Sequence, residues 1–158
     1  ITSEQSRDDV QIVRAGFDAI LTGGNTLRND NPRMNARVDF EVNQPQKILL
    51  TSQEINKESN FFKSGDVIIN RSSDLNKIIT ELSNTEINSI LVEAGPNLVN
   101  AFLDNHLVDE IIIYKSSIIL GDEGVSWFEN KTIESLGFDL KSSLKINDDS
   151  KETYLKRT

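Results

Sequence analysis

Ser89-Ile90-Leu91-Val92-Glu93-Ala94-Gly95-Pro96-Asn97-Leu98 is the stretch on which the reading of this chain turns. An apolar run stops at a carboxylate and a Gly-Pro pair, then apolar residues return at helical spacing as Leu98, Phe102 and Leu103. That pattern is a strand running into a helix. Pro96 at the first helical position gives up only an amide that has no intrahelical acceptor, and Gly95 lets a ligand come close to the backbone. Ligands of open α/β sheets bind beyond the carboxyl ends of the strands, so this junction is a candidate site. The amides of Asn97, Leu98 and Val99 would face an anion there, helped by the helix dipole. An ordinary tight turn is the other reading. Glu93 at the strand tip either accepts from ligand N–H or O–H groups or complements the helix dipole, and both roles stay open.

Outward from this junction the same alternation repeats. Ala19-Ile20-Leu21-Thr22 ends at Gly23-Gly24, while Lys47 to Thr51 and Asp66 to Ile69 read as buried strands. A helix over residues 3–15 is expected, opened by a capping box from Thr2 to Gln5, with Val10, Val13 and Phe17 on its apolar side. Another helix follows Ser73 as N-cap, with Leu75, Ile78, Ile79 and Leu82 on one face. Residues 23–45, rich in Gly, Pro and Asn, read as a long functional loop. Glu110 to Tyr114 reads as a strand buried on both faces, and residues 138–157 as a closing antiparallel hairpin. Strands alternating with helices give a three-layer α/β domain with a mixed, mostly parallel sheet, one domain over residues 1–158.

Composition removes several chemistries. The chain has 158 residues, no Cys, one His and a net charge of −8, which excludes thiolate nucleophiles, disulfides and multi-histidine metal sites. An acidic protein is poorly suited to a phosphate backbone, no apolar run reaches membrane length, and a cytoplasmic protein is expected. Yet five of the seven arginines, Arg7, Arg14, Arg28, Arg33 and Arg37, fall in the first 37 residues. That clustering beside Gly23-Gly24-Asn25-Thr26 suits a phosphorylated ligand, because the guanidinium fork matches phosphate geometry; solvated helix-face arginines are the alternative. His106 is expected to cap a helix end rather than catalyse, and Trp127 carries no readable role.

Two blocks of residues carry a resemblance. Ile1-Thr2-Ser3, Arg7, Asp9-Val10-Gln11, Arg14, Asp18 to Thr22, Thr26-Leu27, Asp30-Asn31-Pro32 and Arg37 form the first; Val92 to Pro96, Leu98, Leu107 to Glu110 and Leu120-Gly121 form the second. Together they resemble the reductase domain of the bifunctional riboflavin biosynthesis deaminase/reductase. The resemblance implies a dihydrofolate-reductase-like fold, commonly dimeric, that uses NADPH to reduce 5-amino-6-(5-phosphoribosylamino)uracil to its ribitylamino product. It implies cofactor contacts at Thr26, Asp30 and Ser52 and along Gly95, Pro96, Asn97, Leu98, Val99, Asn100 and Ala101. Substrate contacts are implied at Arg14, Met34, Arg37 and Glu93, with the two arginines on the phosphate and Glu93 on the polar part of the substrate.

Two departures accompany it. The family's deaminase domain, with its His and Cys zinc ligands, has no counterpart here, so deamination by this chain is excluded. The family's reductase domain also begins with a strand before the position of Ile1, and a chain without it is expected to show open strand edges and uncertain activity. A related pyrimidine or pteridine reductase, a noncatalytic oligomerisation module and an inactive fragment are the alternatives. Affinity for NADPH separates the reductases from the module.

Overall fold

A computed structural model describes residues 2–118, 127–128 and 131–158. Ile1 and Leu120-Gly121, quoted above for the resemblance, lie outside the described residues. The elements are α1 (Glu4–Ala15), β1 (Ala19–Gly23), α2 (Gly24–Asp30), β2 (Gln46–Leu50), β3 (Val67–Asn70), α3 (Leu75–Ser83), β4 (Ile90–Val92), α4 (Pro96–Asp104), β5 (Glu110–Lys115), β6 (Phe138–Ile146) and β7 (Asp149–Lys156). They form a four-stranded parallel sheet, β3-β2-β1-β4, and a three-stranded antiparallel sheet, β5-β7-β6, closed by the expected hairpin.

The parallel sheet is covered on both faces, which is why its strands are continuous apolar runs. Side chains alternate across a strand, so Ala19, Leu21, Ile48 and Leu50 join Leu75, Ile78 and Leu82 of α3 and Phe102 of α4 in one cluster. Ile20 and Leu49 point the other way, to Leu27, Met34 and Phe61. Each fully buried Leu, Ile or Phe contributes about 1.5–3 kcal/mol. A one-residue slip of register would therefore exchange the two clusters.

Helix α1 departs from expectation. Its cap is Ser3, whose hydroxyl accepts from the Ser6 amide, not Thr2. Its buried residues are Ser6, Gln11 and Arg14, all polar, and Ile12 is exposed. The reason is its position. Ser3 and Ser6 hydroxyls donate to Asp149 Oδ2 at 2.7 and 2.6 Å, the Ser3 amide adds a third bond at 2.6 Å, and Lys151 Nζ meets Asp9 at 2.7 Å. The Tyr114 hydroxyl also donates to Asp9. Through these bonds α1 grips β5 and β7, while Arg14 grips the end of β4, so the helix joins the two sheets. The hydrogen bonds from Ser6 and Ser3 pull Asp149 down to a pKa of about 2. Burial works against ionisation of Asp9, but the bonds from Lys151 and Tyr114 win and hold it below the usual carboxylate range.

Other corrections are local. Gly24–Asp30 forms a helix where a loop was expected, ended by Asn31 in the left-handed region at φ 42°. Asp74, not Ser73, caps α3 through a bond from the Lys77 amide. Strand β5 is half-buried and pairs only with β7, and β4 pairs only with β1, so each leaves an open edge among the described residues. Asn105 caps α4; His106 follows it in the left-handed region at φ 57°. Trp127 is exposed, and its carbonyl accepts from Asn100 Nδ2 at 3.0 Å.

Candidate functional site

The carboxyl ends of β1, β2 and β4 hold most of the residues the sequence singled out. Strand β1 runs directly into α2, which places Thr26 and Asp30 one helical turn apart. Ser52 is exposed two residues beyond β2. Strand β4 runs through Glu93 and Ala94 to Gly95, the N-cap of α4, with Pro96 at its first turn.

The α4 terminus is narrower as an anion site than its sequence suggests. The amides of Leu98 and Val99 both donate to the Gly95 carbonyl at 3.2 Å, because Pro96 starts the helix at once and the first turn closes on its own cap. Of the three amides, Asn97 alone keeps its N–H without an acceptor among the described residues. Among the described residues no side chain caps this helix. A Cβ built on Gly95 meets nothing within 4 Å, so open space lies against the backbone there. At the tip of β1, the Thr22 hydroxyl is fully buried without a hydrogen-bond partner among the described residues. A buried orphan hydroxyl is costly unless something bonds it. Gly23 and Gly24 serve packing instead: Cβ atoms there would lie 3.3 Å from Leu98 Cδ2 and 2.5 Å from Thr51 Oγ1. Glycine lets the tips of β1 and β2 and the start of α4 close together.

The second group of residues converges on Glu93. Arg14 Nε donates to Oε2 at 2.8 Å and Nη2 to Oε1 at 2.5 Å, a bidentate pair formed across 79 positions of sequence. Arg14 Nη1 adds bonds to Gln11 Oε1 and the Asn35 carbonyl, each at 3.4 Å. The Arg14 side chain is thus spoken for, and its charge is met by Glu93 rather than left open for a phosphate. Arg37 is different. Its amide donates to Gln11 Oε1 at 3.3 Å, while its exposed guanidinium touches only Asn35 Oδ1 and carries no ion pair among the described residues. Met34 is buried in the core at φ 48°, so it offers a ligand its backbone and not its side chain.

Neither Gln11, which links Arg14 to the Arg37 loop, nor the side chain of Lys47, which is buried beneath that loop, was assigned a role from the sequence. A lysine opening an otherwise apolar run was the available signal for the second. Arg71 was passed over as well; its Nη1 reaches the carbonyls of Ser52 and Gln53 at 3.5 and 3.4 Å beyond the tips of β2 and β3. A separate cleft at the opposite ends of the strands is lined by Asp18, Glu41 and Glu86. Its acidic wall disfavours a phosphorylated ligand.

Residues 1–151 match the family model described as RibD C-terminal domain. The chain is 30% identical over 192 residues to the riboflavin biosynthesis protein RibD of Haemophilus influenzae, an alignment covering 98% of this chain and 52% of that protein. It is 27% identical over 189 residues to the 5-amino-6-(5-phosphoribosylamino)uracil reductase of Buchnera aphidicola from Acyrthosiphon pisum, covering 94% of this chain and 91% of that one. Among solved structures, Acinetobacter baumannii RibD superposes with a TM-score of 0.88 at 24% identity, over 99% of this chain and 52% of the other. The chain spans about half the length of the curated RibD proteins it matches.

Proposed function

The chain belongs to the RibD C-terminal domain family, and from that premise we propose that it reduces 5-amino-6-(5-phosphoribosylamino)uracil to the ribitylamino compound with NADPH. The observation that carries the reading is the Arg14–Glu93 pair, two residues from the Gly95 turn and bonded to the loop that bears Arg37. In this reading a polar, fixed carboxylate stands between the dinucleotide and the substrate phosphate.

The residues fit the cofactor. Open space at Gly95 and the free Asn97 amide supply room and an unspent hydrogen-bonding group at one end. Neighbouring strands lie about 4.8 Å apart, so β4 and β3, three strand spacings from one another, are separated by about 14 Å. An extended dinucleotide laid across the tips would bring its adenine ribose towards Ser52 and Arg71. A guanidinium and a hydroxyl there suit the additional phosphate that distinguishes NADPH from NADH.

When bound, NADPH would supply the hydride that adds to C1′ of the open-chain imine as its C=N π bond gives way and a proton from solvent goes to the nitrogen, so that C1′ becomes a CH₂ group and NADP⁺ remains. The protein's part is position. Arg14 holds both oxygens of Glu93, so the lone pairs left on that carboxylate face the polar edge of the substrate in one orientation. Gln11 fixes Arg14 and the Arg37 amide together, and Arg37 pairs with the substrate phosphate. Thr26 and Asp30 on α2, with Asn97 and its neighbours on α4, flank the cofactor. Exposed Leu140, Leu144 and Leu155 on β6 and β7 offer apolar surface for pairing two copies of the chain.

The reading is tested by following NADPH oxidation upon addition of the phosphoribosylaminouracil. Turnover is expected. Arg37→Ala should raise the KM for this substrate about tenfold or more and leave NADPH affinity within about twofold, whereas Asp30→Ala should weaken NADPH. Loss of both ligands together in Arg37→Ala contradicts the division of roles, and a folded wild-type chain that binds NADPH without oxidising it points to a different substrate.

A further inference from the structure

Lys47 is the second residue of β2, and only 2% of it is exposed. A buried ammonium is costly, and burial lowers its pKa. Such a group persists where acceptors surround it. Here Nζ donates to the Phe61 carbonyl, to Ser64 Oγ at 2.9 Å and to the Arg33 carbonyl at 3.4 Å, and it lies 5.0 Å from the centre of the Phe61 ring. No carboxylate pairs with it among the described residues. The lysine therefore spends its hydrogen bonds on two segments of irregular chain, residues 33–34 and 61–64, that no strand or helix holds.

The first of those segments is under strain. Met34 stands in the left-handed region at φ 48°, which costs a residue with a Cβ roughly 1–2 kcal/mol. That conformation turns the chain between Arg33 and Asn35, so that the Met34 side chain enters the core while the Asn35 carbonyl reaches Arg14 and the Arg37 amide reaches Gln11. Strained residues of this kind persist where the surroundings over-determine them. Gln44 holds the far side of the turn through two bonds to the Ala36 backbone, at 2.8 and 3.0 Å. Lys47 holds the near side.

We propose that Lys47 is a positioning residue for the phosphorylated substrate: through the Arg33 and Phe61 carbonyls it fixes the left-handed turn at Met34 and thereby aims Arg37. The proposal rests on the reading of the preceding subsection, and it assigns Lys47 no contact with substrate or cofactor. Its consequence is a selective one. The tips of β1 and β4, where the cofactor lies, are not bonded to Lys47, so loosening this clamp acts on one ligand and not on the other.

The test compares the wild-type chain with Lys47→Met, Lys47→Arg and Ser64→Ala. In Lys47→Met the KM for the phosphoribosylaminouracil should rise about tenfold, with NADPH affinity and kcat each within about twofold. Lys47→Arg, which keeps a charged donor, should recover part of that loss. Ser64→Ala removes a single acceptor and keeps the buried amine, so it reads the same clamp if Lys47→Met does not fold; a rise in KM of about threefold is expected. Amide hydrogen exchange at residues 33–37 should speed up in both Lys47→Met and Ser64→Ala, whatever the substrate. This exchange readout separates the two proposals, since absence of turnover in the wild type overturns the functional reading and leaves the clamp measurable. Unchanged exchange at residues 33–37, or equal losses of substrate and NADPH affinity, would overturn the role assigned to Lys47.

Discussion

Glu93→Ala is expected to lower stability by about 3 kcal/mol and to remove turnover, because truncating one partner of a buried ion pair strands the other. Arg14 is 8% exposed and makes two of its hydrogen bonds to this one carboxylate. Without Glu93 the guanidinium keeps only the long bonds to Gln11 and Asn35, too few to replace water. The Glu93 side chain is 33% exposed, which leaves room for solvent to enter and keeps the loss at the lower end of the buried-pair range. Glu93→Gln keeps the shape and one acceptor oxygen, so it should recover part of the stability while turnover stays low. Chemical denaturation checks the first quantity and NADPH oxidation the second. Denaturation of Glu93→Ala at the wild-type denaturant concentration would show that the pair does not hold α1 against β4.

Two glycines should respond in opposite ways. In Gly24→Ala the new Cβ would sit 2.5 Å from Thr51 Oγ1 and 2.9 Å from Thr51 Cβ. Thr51 is short and β-branched, and its hydroxyl accepts from the Gln53 amide at 3.2 Å, so it cannot swing aside. The tips of β1 and β2 must separate, at a cost of about 1–3 kcal/mol, typical of overpacking. In Gly95→Ala the Cβ meets nothing within 4 Å, and the backbone at φ −71° and ψ 168° is one that any residue adopts. Stability should stay within about 0.5 kcal/mol of wild type. The methyl group nonetheless occupies space assigned to the dinucleotide, so NADPH affinity should fall about tenfold or more. Thermal denaturation beside NADPH titration reads both variants. A destabilised Gly95→Ala with normal NADPH affinity would remove the cofactor from this turn.

The parts of the fold legible in the sequence were those set by local pattern. Strands β1 and β2 announce themselves as apolar runs because both faces of the sheet are covered, and Gly95-Pro96 marks the start of α4 through backbone chemistry alone. Helix α2 was hidden because Gly24, Asn25, Asn29 and Asp30 are poor helix formers and Leu27 is its single buried apolar side chain; packing of Leu27 against Ile20 and Met34 overrides propensity. The polar face of α1 was hidden for another reason. The partners of Ser6, Asp9 and Arg14 lie at positions 149, 114, 151 and 93, and spacing along a helix says nothing about contacts at that separation. The sequence likewise placed the arginines near one another without showing that Arg14 is neutralised by Glu93 and Arg37 is not. Strand β5 looked doubly buried from Ile111 to Ile113, yet it is half-buried with an open edge among the described residues, since an apolar run alone does not tell a central strand from an edge strand.

The proposed site for a phosphorylated dinucleotide lies across the tips of β1, β2, β3 and β4. Calorimetric titration of this 158-residue chain with NADPH, and with NADH beside it, reads that site without the substrate. Saturable one-to-one binding of NADPH and weaker binding of NADH are expected, with Arg71→Gln reducing the difference between them. A folded chain that takes up neither nucleotide would show that the strand tips hold no such site.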